Sequence, residues 1–142
     1  RRMIRCILSL DEAVDTIFAA VKNGCRGEIF VPRGMSANIA DLAEALIDGR
    51  DIPINVTGIR PGEKLHEVLV SREEAFRTRN NGDFYAIAPL LPEIAVDSGP
   101  IVLDDEYSSG SPVVSKEEVK AMLVRRRLML EDVAGEQGEL LR

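Results

Sequence analysis

Ten consecutive residues, Gly-Ile-Arg-Pro-Gly-Glu-Lys-Leu-His-Glu at 58–67, carry the side chains best suited to chemistry. This segment, called the charged turn below, contains two cations, two carboxylates and the only histidine of the chain. Pro61 fixes one backbone angle, and Gly62 can adopt the positive φ that a tight turn requires. The run therefore predicts a stiff turn, which can direct its charged side chains at a ligand at low entropic cost.

Two side chains of the charged turn suit a ligand that is both an anion and a sugar. The planar guanidinium of Arg60 matches phosphate or carboxylate, and the carboxylate of Glu63 accepts hydrogen bonds from hydroxyls. The alternative is a solvated turn with a surface ion pair, which the charges alone favour. The decision between the two depends on the elements that surround the turn.

The first element that could position the turn is a short apolar strand over residues 3–10, interrupted by one charge at Arg5. Ser9 and Glu12 then have the S-x-x-E spacing of a capping box, which begins a helix. Gly24 is a natural end for this helix. Its apolar residues recur on one face, which predicts packing against a core; they are Val14, Ile17, Phe18 and Val21.

A second strand and helix follow in the same order. Residues 28–31 predict a strand that ends at Pro32 and Gly34. The next helix closes at Gly49, and its apolar face consists of Ile39, Leu42, Ala43, Leu46 and Ile47. This strand–helix–strand order predicts the α/β fold class.

The charged turn lies between two further predicted elements. Residues 52–56 predict a strand. Pro53 indicates either that this strand lies at a sheet edge or that the proline stands at the beginning of the strand. After the turn, residues 64–69 predict a short helix. A second S-x-x-E spacing at 71–74 begins a brief helix or a turn, and residues 84–88 predict a last strand.

Beyond residue 89 the pattern becomes irregular and is interrupted by proline and glycine. We therefore predict a binding subdomain at 1–89 and an irregular tail at 90–142. Within the tail, an S-x-x-E spacing begins a terminal helix at about 115–130, whose apolar stripe is Val119, Met122 and Leu123. The arginines at 125–127 are predicted to complement the negative end of that helix.

Composition limits the classes of function. The formal charge of −6 argues against a general nucleic-acid binder, which needs an excess of lysine and arginine. No apolar run approaches the roughly 20 residues that span a bilayer, and nothing at the start resembles a signal peptide. Cys6 and Cys25 lack metal-site spacing and are expected to be thiols in a reducing cytoplasm, although the sequence leaves a disulfide between them open.

Several catalytic motifs are absent from the sequence. There is no G-x-G-x-x-G, P-loop or G-x-S-x-G pattern. Neither tyrosine is followed by lysine four residues later, because Tyr85 leads to Pro89 and Tyr107 leads to Ser111. The chain therefore looks like a binding part without a catalytic part.

Three runs resemble the C-terminal portion of bacterial nucleotide-sugar 4,6-dehydratases and epimerases of capsular and surface polysaccharide biosynthesis. They are Met-Ile-Arg-Cys-Ile-Leu-Ser-Leu-Asp-Glu-Ala-Val at 3–14, Gly-Glu-Ile-Phe-Val-Pro at 27–32 and Ile-Arg-Pro-Gly-Glu-Lys-Leu-His-Glu at 59–67. These enzymes are extended short-chain dehydrogenases/reductases that act on UDP-N-acetylglucosamine and related UDP-sugars. The resemblance, which covers about residues 3–89 and parts of the tail, implies a small mixed α/β substrate-binding subdomain without the Rossmann half.

The resemblance assigns roles to individual residues. Arg60 matches an arginine that contacts the UDP diphosphate, Glu63 matches an acidic residue that hydrogen-bonds the ribose, and Arg5 matches a second diphosphate-binding arginine. Two arginines from separate segments could hold a diphosphate from both sides by charge-assisted hydrogen bonds. His66 is a further candidate for substrate binding, with a packing role as its alternative.

Two departures from the family pattern affect these expectations. The family usually has Thr-Arg-Phe where this chain has Ile4-Arg5-Cys6, which alters the surroundings of Arg5. Ser109-Gly110-Ser111 replaces a more polar, asparagine-containing stretch of the tail.

The resemblance also implies a cofactor that this chain does not hold. In the complete enzyme, NAD(P) oxidises the sugar at C4, after which water is eliminated or the sugar is reprotonated on another face. The dinucleotide loop and the Tyr/Lys pair of that chemistry are missing here, so we expect no bound cofactor and no catalysis by the chain alone. The expected partners are UDP-N-acetylglucosamine or a related UDP-sugar and a separate or missing Rossmann half. Apolar surface that would face this half predicts a homo-oligomer.

Two other functions remain open at the level of sequence. The chain could be a non-catalytic interaction module or regulatory remnant that keeps the fold without sugar chemistry. It could also be an unrelated phosphate-binding α/β domain in which Arg60 and Lys64 hold a different anion.

Overall fold

The computed structural model describes residues 3–94 and 99–132, within which the chain forms seven short strands and four helices. The strands are β1 (Ile4–Ile7), β2 (Ile29–Pro32), β3 (Met35–Asn38), β4 (Val68–Val70), β5 (Thr78–Asn81), β6 (Phe84–Ile87) and β7 (Tyr107–Ser108). The helices are α1 (Leu10–Asn23), α2 (Ile39–Ile47), α3 (Arg72–Ala75) and α4 (Lys116–Arg125). Residues 95–98 and 133–142 of the predicted tail lie outside the described residues.

The described strands form three small sheets, and all pair in antiparallel fashion. One sheet joins β1 to β3, a second has the order β2-β6-β5, and the third joins β4 to β7. The predicted fold class, a small mixed α/β unit, is confirmed. Strands β5 and β6 are joined by a two-residue turn. Such turns require a positive φ, and Gly82 has a φ of +61° there.

Three helices begin at capping boxes, as predicted. In each, the serine hydroxyl accepts the backbone N–H of a glutamate three residues later, and that glutamate's carboxylate accepts the serine N–H. The pairs are Ser9 with Glu12, Ser71 with Glu74, and Ser115 with Glu118. The boxes satisfy N–H groups that a helix start otherwise leaves without a partner.

The main core forms where α4 lies against α2 and β3. Its buried residues are Ala37, Ala45, Val119, Met122, Leu123 and Met129. The apolar stripe predicted for the terminal helix is therefore confirmed, although the helix ends at Arg125. The predicted division between residues 89 and 90 stays a prediction, but these contacts cross it.

A second core cluster lies around the three-stranded sheet and β4. Val31, Val70 and Ile87 are its buried residues. The rings of Tyr85 and Tyr107 meet edge to face beside it, with their centroids 5.1 Å apart. Burial is the main cause that raises the pKa of Tyr107. Residues on both sides of position 89 therefore also share this cluster.

The prediction for the packing of α1 was wrong. The helix forms with the expected cap, but its apolar stripe of Val14, Ile17, Phe18 and Val21 is exposed, and Val21 keeps 80% of its accessible surface. The helix lies at the edge of the described residues, none of which covers this face.

Among these residues, no helix is long and apolar enough to cross a membrane. The homo-oligomer stays a prediction.

Two elements around the charged turn differ from their predictions. Residues 52–56 form no strand, because within the described residues no other strand pairs with them and every residue from 51 to 66 is exposed. Residues 64–69 form no helix; the chain instead enters β4 at Val68. The strands β3, β5 and β7, which have weak apolar alternation, were not predicted.

Both cysteines are free thiols. Cys25 is exposed, whereas Cys6 on β1 is half-buried with its Sγ 3.3 Å from the hydroxyl of Ser36. The disulfide that the sequence left open is therefore not formed.

The arginine run at the end of α4 connects this helix to the beginning of α1. Arg126 donates a hydrogen bond of 2.7 Å to the hydroxyl of Ser9 and forms an ion pair with the carboxylate of Glu12. Burial raises the pKa of the Glu12 carboxyl, but hydrogen bonds from Ser9 and Arg126 outweigh it and leave the pKa below its usual value. The charged form of Glu12 therefore stabilises the folded chain.

Glu12→Gln should remove a pH-dependent part of this stability. Because the folded-state pKa is depressed, the contribution is present above the unfolded pKa and is lost as the pH falls through the folded pKa. The difference in free energy of unfolding between wild type and variant should shrink from about pH 6 to about pH 3. Urea denaturation at each pH measures it, with Glu117→Gln as an exposed control on another helix. A difference that is independent of pH would contradict the assignment.

Candidate functional site

The charged turn forms the tight turn that its sequence predicts. The N–H of Glu63 donates to the carbonyl of Arg60 at 3.1 Å, and Gly62 has a φ of +87°. A type II turn commonly has Pro at its second position and requires a positive φ at its third, which favours Gly there. One carboxylate oxygen of Glu63, Oε2, accepts the N–H of Arg60 at 2.9 Å. The backbone of the turn is thus closed by two hydrogen bonds.

Arg5 on β1 contacts the charged turn through its guanidinium. Its Nη1 donates to the carbonyls of Ile4 at 2.9 Å and Leu65 at 3.3 Å, and its Nη2 donates to the carbonyl of Lys64 at 2.9 Å. The same Nη2 lies 3.4 Å from a carboxylate oxygen of Glu67. Arg5 and the turn are about 60 residues apart in sequence, and the fold brings them together.

A backbone contact joins the same two segments. The N–H of Ile4 donates to the carbonyl of Leu65 at 2.9 Å, directly beside the bonds of the Arg5 guanidinium. The carbonyls of the charged turn therefore receive donors from both the main chain and a side chain of the β1 segment. This arrangement holds the turn against an element of the fold although its own residues are exposed.

Arg60 and Lys64 carry the free positive charge of the site. Both are exposed, and neither has a carboxylate within 4 Å among the described residues. Glu63 is directed to the backbone of its own turn, and Glu67 pairs with Arg5. The surface ion pair that was the alternative for this turn is thus not formed by Arg60.

His66 lies against the tail of the chain. A Cβ atom added at Gly110 would meet the Nδ1 of the imidazole at 3.3 Å and its Cγ at 3.5 Å. The ring therefore lies near Gly110, where a side chain would crowd it. The imidazole itself is exposed.

Ser109 is a residue of the site region that the sequence did not single out. It is completely buried. Its hydroxyl donates to the carbonyl of Ile4 at 3.0 Å and accepts the N–H of Glu67 at 2.9 Å, and its own N–H donates to the carbonyl of Glu67 at 2.8 Å. In the sequence, Ser109 stood out only as part of the run at 109–111 that departs from the family pattern.

An apolar cleft of about 520 Å³ opens beside the charged turn, between the beginning of α2 and residues 54–59. Met3, Ile39, Ala43, Ile54, Val56, Ile59 and Leu65 form most of its wall. The polar side chains in the wall are Asn38, Asn55 and Thr57. Two residues of the cleft wall connect it to the charged groups. Ile59 immediately precedes Arg60, and the carbonyl of Leu65 accepts a hydrogen bond from Arg5.

Comparison with protein families and known proteins gives consistent matches. Residues 1–89 match the sequence model of a family described as polysaccharide biosynthesis protein. The chain is similar to a UDP-N-acetylglucosamine 4,6-dehydratase (inverting) from Campylobacter jejuni, with 35% identity over 97 residues that cover 68% of this chain and 28% of that protein. It is also similar to a UDP-glucose 4-epimerase from Rickettsia canadensis, with 32% identity across 92% of this chain and 41% of that protein.

A solved structure supports the fold. The X-ray structure of Pen from Bacillus thuringiensis matches with a TM-score of 0.73 and 26% identity, over 90% of this chain and 39% of that one. The chain spans between 28% and 41% of the lengths of the relatives it matches.

Gly62→Ala should destabilise the turn, because an L-residue at a φ of +87° carries steric strain. The expected loss is about 1–2 kcal/mol in the free energy of unfolding, measured by urea denaturation. Gly34→Ala is the control, since its φ is outside the left-handed region and an added Cβ would come no closer than 3.7 Å to another atom. Equal losses in the two variants would show that the backbone conformation of Gly62 is not responsible.

Proposed function

Because this chain belongs to the polysaccharide biosynthesis protein family, we propose that it binds the diphosphate and ribose of a UDP-sugar, such as UDP-N-acetylglucosamine. In this proposal it is the nucleotide-sugar-binding part of a 4,6-dehydratase or 4-epimerase. The relatives named above carry UDP-N-acetylglucosamine and UDP-glucose in their names, which supports this class of ligand. The charged turn and Arg5 form the binding site.

The observation that carries the proposal is the free charge of Arg60 on a closed turn. An arginine with no carboxylate nearby in an acidic protein is available to an anion, and its fork suits the oxygens of a diphosphate. Since the turn is already fixed by two hydrogen bonds, little backbone entropy is lost when a ligand binds. Lys64 adds a second positive charge four residues later.

Glu63 supports the ribose in this proposal. Its Oε2 is held by the N–H of Arg60, and Oε1 makes no hydrogen bond within the described residues. A carboxylate oriented by one oxygen can accept ribose hydroxyls with the other. Arg60 and Glu63 lie three residues apart on one turn. They can therefore contact the phosphate and the ribose, which are neighbours in a nucleotide.

Arg5 reaches the ligand from the side of the turn. Its four Nη hydrogens face carbonyls and Glu67, so the ion pair with Glu67 is the contact that a diphosphate can replace. At 3.4 Å and with the Glu67 side chain 44% exposed, this pair is weak. The imidazole of His66 lies near Gly110 of the tail; its part in substrate binding stays a prediction.

The residues of this chain do not fit NAD(P). No described strand leads into a glycine-rich phosphate loop, and the sequence has no Tyr/Lys pair at the required spacing. Chemistry at the sugar is therefore assigned to no residue of this chain. A Rossmann half as partner, the homo-oligomer and the cytoplasmic location stay predictions.

Titration of the ¹⁵N-labelled chain with UDP and UDP-N-acetylglucosamine tests the proposal. Saturable shifts are expected at the amides of the charged turn and at Arg5, because the ligand binds there. Arg60→Gln should weaken binding about tenfold to hundredfold, since a charge-assisted hydrogen bond to the diphosphate is lost.

Arg26→Gln is the matched control, because Arg26 is also an exposed arginine of a turn but lies outside the site. It should leave the affinity unchanged. An absence of saturable shifts at millimolar UDP would overturn the proposal for this chain. Equal affinity for UDP and inorganic phosphate would instead indicate a general anion site.

A further inference from the structure

We propose that Ser109 is a positioning residue of the site: its buried hydroxyl fixes the charged turn relative to Arg5. This inference rests on the proposed function for its effect on binding, although the geometric effect can be tested without a ligand. Ser109 would not touch the nucleotide. It would act through Ile4 and Glu67, the two residues that its hydroxyl contacts.

The Oγ atom of Ser109 connects the tail segment that carries it to two other segments of the chain. Its Oγ donates to the carbonyl of Ile4 in β1 and accepts the N–H of Glu67, the last residue of the charged turn. The backbone N–H of Ser109 adds a bond of 2.8 Å to the carbonyl of Glu67. A hydroxyl is suited to this place because it is donor and acceptor at once.

Both residues held by Ser109 are also partners of the Arg5 guanidinium. The carbonyl of Ile4 accepts from Ser109 and from Arg5 Nη1, and the carboxylate of Glu67 pairs with Arg5 Nη2. Ser109 thus holds the backbone of Glu67, from which the carboxylate that pairs with Arg5 extends. Since Arg5 also holds the carbonyls of Lys64 and Leu65, a shift at Glu67 is transmitted to the turn.

Serine suits position 109 because it meets both the hydrogen-bonding and the space requirements of this site. Alanine would leave the N–H of Glu67 without its acceptor, and an unpaired polar group away from water is unfavourable. A side chain with more heavy atoms than serine has no room, because Ser109 has no accessible surface. A Cβ atom added at the neighbouring Gly110 would come within 3.3 Å of His66 Nδ1, so the adjacent position also has little free space.

A purely structural serine offers a matched comparison. Ser36 on β3 is 1% exposed, and its hydroxyl contacts the thiol of Cys6 at 3.3 Å. Ser36→Ala therefore removes the same atom from an equally buried site. Its hydroxyl makes no hydrogen bond to the charged turn.

The experiment compares Ser109→Ala with Ser36→Ala by ¹H–¹⁵N spectroscopy and UDP titration. Ser109→Ala should shift the amides of residues 64–67 and the side-chain NH signals of Arg5 in the absence of ligand. It should also weaken UDP binding about two- to tenfold, the effect of one lost hydrogen bond. Ser36→Ala should leave both readouts unchanged even if it lowers the unfolding midpoint. Ser109→Cys, which keeps a weak donor and acceptor, should restore part of the affinity.

The outcomes separate this inference from the proposed function. Unchanged Arg5 and turn signals in Ser109→Ala would overturn the positioning role. If these signals move but the wild-type chain binds no UDP, the positioning stands and the proposed ligand is wrong. Equal loss of affinity in the Ser36 and Ser109 variants would show a general effect of stability and would also overturn the inference. If Ser109→Ala does not fold, Ser109→Cys provides the comparison instead: its weaker hydrogen bonds should move the same signals by a smaller amount, and unchanged signals would overturn the inference.

Discussion

The site depends on the hydrogen bonds between the Arg5 guanidinium and the carbonyls of the charged turn. Residues 51–66 are exposed and belong to no regular element, so their position must come from contacts with the rest of the chain. Arg5 supplies a rigid set of donors that matches several carbonyls at once. Through these contacts an exposed loop acquires a defined place beside β1.

The distribution of carboxylates explains how a local positive site exists in a protein of net charge −6. Glu63 accepts a backbone N–H, and Glu67 pairs with Arg5, so neither neutralises Arg60. The two acidic residues of the turn therefore contribute to its structure, while Arg60 and Lys64 form no ion pair within the described residues. Screening by salt reduces such an exposed field beyond about 10 Å, so recognition acts at contact distance.

Local patterns were predictable from sequence, whereas long-range pairing was not. The capping boxes at Ser9, Ser71 and Ser115 and the turn at Gly62 are determined by neighbouring residues, and the structure has them all. The role of Ser109 depends on a tail segment that returns to β1 more than 100 residues later, which no local pattern encodes. The strand expected at 52–56 failed for a related reason: alternation indicates a strand, but pairing requires a neighbour.

The exposed stripe of α1 has a thermodynamic consequence. Val14, Ile17, Phe18 and Val21 are already in contact with water in the folded chain, so unfolding hydrates little additional surface there. Both the heat-capacity increment of unfolding and its denaturant dependence scale with newly hydrated area. We therefore expect both quantities to be smaller for this chain than its length alone would give. A broad urea transition and a flatter dependence of stability on temperature are the expected result.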